Sequence, residues 1–165
     1  MTKMKINKIL SIQTLLSMRK LLKNKTIVLG TGCFDILHIG HLYFLQQASE
    51  QGDILIVGIN SDKSIKIMKG KNRPIIKQDE RAQLIAAFDC VDYVFVYDGT
   101  TARDYILSLK PHVFAIGEGS VRDYPDECEA TKKVGARLHI IKRMPFPSTT
   151  SIVTKIQNMQ KIEKQ

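Results

Sequence analysis

Cysteine is scarce in these 165 residues, at three. Cys33, Cys90 and Cys128 are an odd set with no CxxC spacing, so they read as reduced thiols of a cytoplasmic protein. No apolar run approaches the ~20 residues that a membrane-spanning helix needs. The basic start, MTKMKINKILSIQTLLSMRK, is interrupted by polar residues too often to form a signal peptide's apolar core. No repeat, low-complexity tract or second domain is visible, and the length suits one domain of ~100–200 residues. With 44% hydrophobic and 25% charged residues, the chain sits near the soluble globular average, which excludes a disordered tail, a collagen-like repeat and a membrane bundle. The net charge of +9 would attract nucleic acid, an anionic membrane surface or a phosphorylated small molecule. Its lysines are scattered, concentrated at 3–25, 63–77 and the C-terminus, and no aromatic-interleaved basic stripe accompanies them. Solubilising charge is the simpler reading, and neither a nucleic-acid nor a membrane partner is expected.

What is present is an alternation. Thr26–Leu29, Asp53–Ile59, Val91–Tyr97, His112–Ile116 and Arg137–Ile141 are short, nearly continuous apolar runs, the pattern of parallel strands buried on both faces. Between them, His41–Gln51, Gln78–Phe88 and Thr101–Leu109 carry apolar residues at helical spacing. The fold class is therefore α/β: a single Rossmann-like, doubly wound sandwich with a five-stranded parallel sheet and right-handed crossovers. Ser11–Leu22, with Leu15, Leu16, Met18 and Leu22, predicts an extra N-terminal helix docked on that body. Residues 1–24 are thus a basic helical arm and residues 25–165 the main domain. From about Ser148 a last helix follows, capped by Ser and Thr, with lysines toward its end.

The chemistry concentrates in Gly30–His41, GTGCFDILHIGH, between the first strand and the first long helix. Open α/β sheets bind ligands at the carboxyl ends of their strands. Gly30 and Gly32 would allow a close backbone approach and a positive φ, and the following helix N-terminus favours phosphate. His38 and His41 stand at i and i+3, with Gly40 giving clearance between them. Two such histidines can donate hydrogen bonds to phosphates as charge builds in a transition state. Against this stand a zinc pair, for which no third ligand is obvious, and ordinary core histidines.

The HIGH tetrapeptide, within GCFDILHIGH, resembles the signature of the nucleotidyltransferase superfamily, in its cytidylyltransferase-like branch. Four segments, 25–53, 58–75, 79–94 and 147–157, are most similar to the stand-alone bacterial heptose 1-phosphate adenylyltransferases, whose product is ADP-heptose. The resemblance implies that His38 and His41 contact the triphosphate and that Phe34 packs beneath the nucleotide. Thr31, Gly32, Cys33, Gly117, Glu118, Ser148, Thr149 and Thr150 would complete the nucleotide site. Asp35 would hold the loop or orient the acceptor, with Lys71 and Arg143 also on the acceptor side. Lys69, in a flexible segment MKGKNRP, would neutralise charge on the reacting phosphates, Lys71 being the second candidate for that role. Arg81 would bind phosphate; otherwise it is a helix-surface arginine. Ser148, Thr149 and Thr150 could equally be plain helix caps.

This chain departs from that group in Thr31, where Asn is usual, in Gly117-Glu118-Gly119-Ser120, and in Met144-Pro145-Phe146-Pro147, whose Phe146 could line the pocket. The implied reaction is attack of a sugar phosphate on the α-phosphorus of a nucleoside triphosphate, ATP favoured and CTP possible. Mg²⁺ would arrive with the nucleotide, since no dense carboxylate cage is seen. A homodimer is expected by the same resemblance. Two alternatives stay open: a cytidylyltransferase for glycerol 3-phosphate or another phosphoalcohol, or an FMN adenylyltransferase. A third, of another class, is a non-catalytic nucleotide- or nucleic-acid-binding domain.

Overall fold

The apolar run after Lys25 becomes strand β1 (Ile27–Gly32) in a computed structural model, which describes residues 7–118 and 124–162. Ile27 and Leu29 face one side of the sheet and Val28 the other, all fully buried. That two-sided burial is why the run shows no polar alternation. Four further strands follow, β2 (Ile54–Asn60), β3 (Tyr93–Tyr97), β4 (Val113–Gly117) and β5 (Arg137–Ile141); the first three share this habit, and β5 buries only Ile141. All pair in parallel in the order β3-β2-β1-β4-β5. The chain reverses its winding direction between β1 and β4, so the carboxyl ends of those two strands, at Gly32 and Gly117, open the crevice where such folds bind ligands.

Seven helices are described. They are α1 (Ile12–Met18), α2 (Ile39–Ser49), α3 (Asp62–Lys69), α4 (Gln78–Ala86), α5 (Arg103–Leu109), α6 (Pro125–Lys133) and α7 (Thr149–Ile162). Leu45 and Ala48 of α2 and Ala82 and Ile85 of α4 pack on the Val28 face. Leu15 of α1, Ile106 and Leu109 of α5 and Ala130 of α6 pack on the other. The five strands and helices α2, α4 and α5 match the sequence expectation in order and type.

Three differences are physical. Helix α1 is shorter than Ser11–Leu22: Ser11 caps it by accepting from the Thr14 amide at 3.1 Å, and the chain turns after Met18. The arm before it runs along the outer edge of β3, with Leu10 N donating to Val94 O at 2.9 Å and Val94 N to Lys8 O at 2.8 Å. It thereby satisfies backbone groups that an open edge strand would expose. Helices α3 and α6 were not foreseen. The sole buried apolar side chain of α3 is Ile65 and that of α6 is Ala130, too few to write a helical period.

Candidate active site

Helix α2 begins two residues before His41, with His38 as its N-cap. His38 Nδ1 accepts from the Gly40 amide at 3.1 Å. An accepting Nδ1 carries no proton, so in the neutral ring the proton sits on Nε2, the atom left free to donate. The His38 and His41 rings stack with centroids 3.8 Å apart and planes inclined by 26°. Gly40 makes that stack possible, because a Cβ there would lie 3.0 Å from His38 ring atoms. Gly30 and Gly32 do not adopt the positive φ expected of them. Their value is the missing side chain: a Cβ would stand 3.2 Å from the Phe44 ring at Gly30 and 3.1 Å from the Phe34 ring at Gly32. The left-handed positions are Phe34 (φ 50°) and Ile36 (φ 51°), either side of Asp35.

Asp35 explains how the chain holds those two uncommon conformations. Its buried carboxylate accepts from the Ile75 and Ile76 amides at 3.0 Å and pairs with Arg73 at 2.8 Å. Burial by itself would raise its pKa; the two amides and Arg73 outweigh that and hold it below the ordinary carboxylate value. The Asp35 carbonyl accepts from the Thr149 hydroxyl at 2.7 Å. One residue thus fastens the HIGH turn to the segment after α3 and to the start of α7. Of the two roles expected for Asp35, the structure supplies the loop-holding one.

Two clefts meet at the β1/β4 crevice and share Thr31, Gly32 and Gly117. The first, about 290 Å³, is lined by Phe34, His38, His41, Glu118 and Ser148, by Arg143, which the resemblance places on the acceptor side, and by Phe146, whose ring meets Tyr43 edge-on at 5.7 Å. The second, about 500 Å³, holds Cys33 and Lys69 and adds Asn60, Tyr97 and Glu127, which sequence reasoning missed. Lys69 is the last residue of α3 rather than part of a flexible loop, and it lies close enough to His41 to disfavour a charge there. Asp35, Lys71, Thr149 and Thr150 line neither cleft. Ser148 is a helix cap as well as a cleft residue, accepting from the Ser151 amide at 3.1 Å. Glu118 accepts from the Arg143 amide at 3.0 Å. Gly119 and Ser120 lie outside the described residues.

Arg81 requires a correction. It is fully buried, and each of its three donating nitrogens has a protein partner: Nε donates to Ile76 O at 2.9 Å, Nη1 to Cys33 O, and Nη2 to Asp62 at 2.8 Å. A guanidinium enclosed in this way offers no face to a phosphate. It ties α4 to the loop after β1 and to the first turn of α3.

His41 is driven to neutrality. Burial lowers its pKa first, then the neighbouring His38 and Lys69, against a smaller opposing effect of Asp35, bringing it from 6.5 to about 4. Its Nδ1 is buried and has no hydrogen-bond partner. Between pH 6.5 and about 4 the unfolded chain takes up a proton that the folded site refuses. The resulting stability is complete above pH 6.5 and is lost as pH falls toward 4, by up to about 3 kcal/mol. Urea melts at pH 7 and pH 4.5 should therefore show a smaller acid loss in His41→Asn than in the unsubstituted protein. Equal losses would sink this account.

The β1/β4 switch point thus carries a helix N-terminus and two stacked histidines, groups suited to an anionic, phosphate-bearing ligand. The family model described as Cytidylyltransferase-like matches residues 29–157, and the chain belongs to that family. It is similar to the Bifunctional protein HldE of Geobacter sulfurreducens, 42% identical over 134 residues, which are 81% of this chain and 27% of that one. With the Bifunctional protein HldE of Campylobacter fetus it shares 39% over 150 residues, covering 91% and 31% of the two chains. The chain thus spans about 30% of the length of these curated relatives. Among solved structures, a lipopolysaccharide core biosynthesis protein from Thermoplasma volcanium is 28% identical with a TM-score of 0.58, covering 73% of this chain and 97% of that one. The pantoate-beta-alanine ligase of Francisella tularensis, 17% identical, shares the fold with a TM-score of 0.67 over 95% of this chain and 78% of its own. No described helix is long and apolar enough to cross a membrane.

Proposed function

We propose that this chain transfers the adenylyl group of ATP to heptose 1-phosphate, giving ADP-heptose and pyrophosphate. The observation that carries the reading is the junction of two clefts at the β1/β4 crevice, with His38 and His41 lining one and Lys69 the other. The choice of substrates rests on the likeness of segments 25–53, 58–75, 79–94 and 147–157 to the heptose group, together with 39–42% identity to HldE proteins.

In the step itself, an anionic oxygen of the sugar phosphate attacks the α-phosphorus in line. A new P–O bond forms, the bond from the α-phosphorus to the oxygen bridging the β-phosphate breaks, and pyrophosphate departs with that electron pair. The nucleophile is already an anion, so no general base is required, and positioning with charge neutralisation carries the rate. His38 donates from Nε2 to a phosphate oxygen, and Lys69 meets the charge from the acceptor side. Each cleft is lined by one carboxylate, Glu118 or Glu127, and the described residues include no group of three or more acidic, His or Cys ligands. In this proposal Mg²⁺ enters as part of the nucleotide substrate.

Pyrophosphate release tests the reading, with ATP, CTP, GTP and UTP each paired with heptose 1-phosphate, glycerol 3-phosphate, phosphoethanolamine and FMN. Turnover confined to ATP and heptose 1-phosphate is the expected result. CTP with a phosphoalcohol would overturn the substrates and keep the mechanism. Silence from folded protein with every pair would overturn the enzyme reading.

A further inference from the structure

Glu127 is a buried carboxylate, 4% exposed, and none of the ion pairs among the described residues includes it. One of its oxygens accepts from the Ala102 amide at 2.9 Å, a bond that a neutral amide side chain could make equally well. A charge taken out of water without a cationic partner costs free energy, and the hydrogen bond to Ala102 does not require that charge. The side chain lines the second cleft.

That cleft has a braced polar wall. Tyr97 and Thr31 line it together with Asn60. Asn60 is held by Cys33 Sγ at 3.7 Å on its Oδ1 and by Gly99 O at 3.4 Å from its Nδ2. Asn60 and Tyr97 are themselves nearly fully buried, so their orientations are set before any ligand arrives. Lys69, the cation among the described residues of this cleft, is near His41. Glu127, by contrast, is fixed to the start of α5 and does not line the first cleft.

We infer that Glu127, in a cleft whose polar wall includes the buried Asn60, is the specificity-determining residue of the acceptor site. It accepts hydrogen bonds from the hydroxyl groups of a sugar phosphate whose phosphate lies toward Lys69 and His41. A carboxylate is an acceptor with two oxygens, suited to adjacent hydroxyl donors. A three-carbon phosphoalcohol held by its phosphate near Lys69 leaves most of a cleft of about 500 Å³ unfilled and offers the carboxylate fewer hydroxyl groups than a sugar does. The inference rests on the acceptor being a sugar phosphate, as proposed above.

Glu127→Gln keeps an oxygen for the Ala102 amide and removes the charge. The variant and the unsubstituted protein would be compared by kcat/KM for heptose 1-phosphate and for glycerol 3-phosphate, with inhibition constants used where turnover is slow. KM for ATP and Tm are measured alongside. The expected result is a loss of about tenfold or more in kcat/KM for heptose 1-phosphate, carried by KM. Glycerol 3-phosphate, KM for ATP and Tm stay put, so the selectivity ratio falls by the same factor. An unchanged ratio, or equal losses for both acceptors with a lowered Tm, would show a purely structural Glu127 and overturn the inference. If the unsubstituted protein ignores heptose 1-phosphate, the function proposed above fails separately. The comparison then passes to whichever acceptor it does use, and indifference of that acceptor to Glu127→Gln overturns the inference.

Discussion

Replacing His38 by Asn should lower kcat by about 10²–10³-fold while leaving Tm nearly unchanged. The side chain has two separable duties. Its Nδ1 caps α2 by accepting from the Gly40 amide, and Asn is among the best residues for that purpose. Its Nε2, the protonated nitrogen, is the donor assigned to the reacting phosphates, and Asn is too short to reproduce its reach. Loss of one preorganised donor to a developing oxyanion costs about 2.7–4 kcal/mol of transition-state stabilisation. His38→Ala should show the same kinetic loss plus about 1 kcal/mol of stability, because the cap is lost too. Steady-state kinetics and thermal melts on both variants separate the two duties. Activity of His38→Asn within tenfold of the unsubstituted protein would show that the ring is only a cap.

The sheet was legible because β1, β2, β3 and β4 are buried largely on both sides and β5 keeps the apolar run. Ile27, Val28 and Leu29 go to alternate faces of one sheet, yet all must be apolar, and five such runs spaced by helices leave little choice of fold. The histidine pair was legible because it is local, three residues apart at a strand-to-helix junction. Helices α3 and α6 were not, since each buries a single apolar side chain against the sheet and their other buried residues are polar. The second cleft was hidden for a different reason. Asn60, Tyr97 and Glu127 come from the ends of β2 and β3 and from α6, and only the strand order brings them together. Asn60 lies within segment 58–75 of the family resemblance, but nothing in PDECEATKK marks its second acidic residue as a cleft residue.

Arg81 was misread because an arginine in a polar helix start looks solvated until the partners are known. Its removal should cost more stability than removal of the His38 cap, and the form of that loss distinguishes the two roles. Arg81→Met keeps the apolar stem and deletes the guanidinium, leaving the Ile76 and Cys33 carbonyls without their donor and Asp62 without its partner. Breaking a buried pair from one side costs about 3–5 kcal/mol. The Asp62 side chain is 29% exposed, so water relieves part of that charge and the lower end of the range is expected. For a chain of this length each kcal/mol lowers Tm by about 2–4 °C, so a drop of about 10 °C follows. Arg81→Lys retains the charge but brings one nitrogen to three divergent acceptors; it should recover part of the Tm and little of the activity, since Cys33 lies in the loop between β1 and the HIGH turn. A phosphate-binding arginine would behave oppositely, with Tm preserved and KM for the nucleotide raised. Thermal melts of both variants, followed by ATP titration of whichever stays folded, decide between a brace and a ligand.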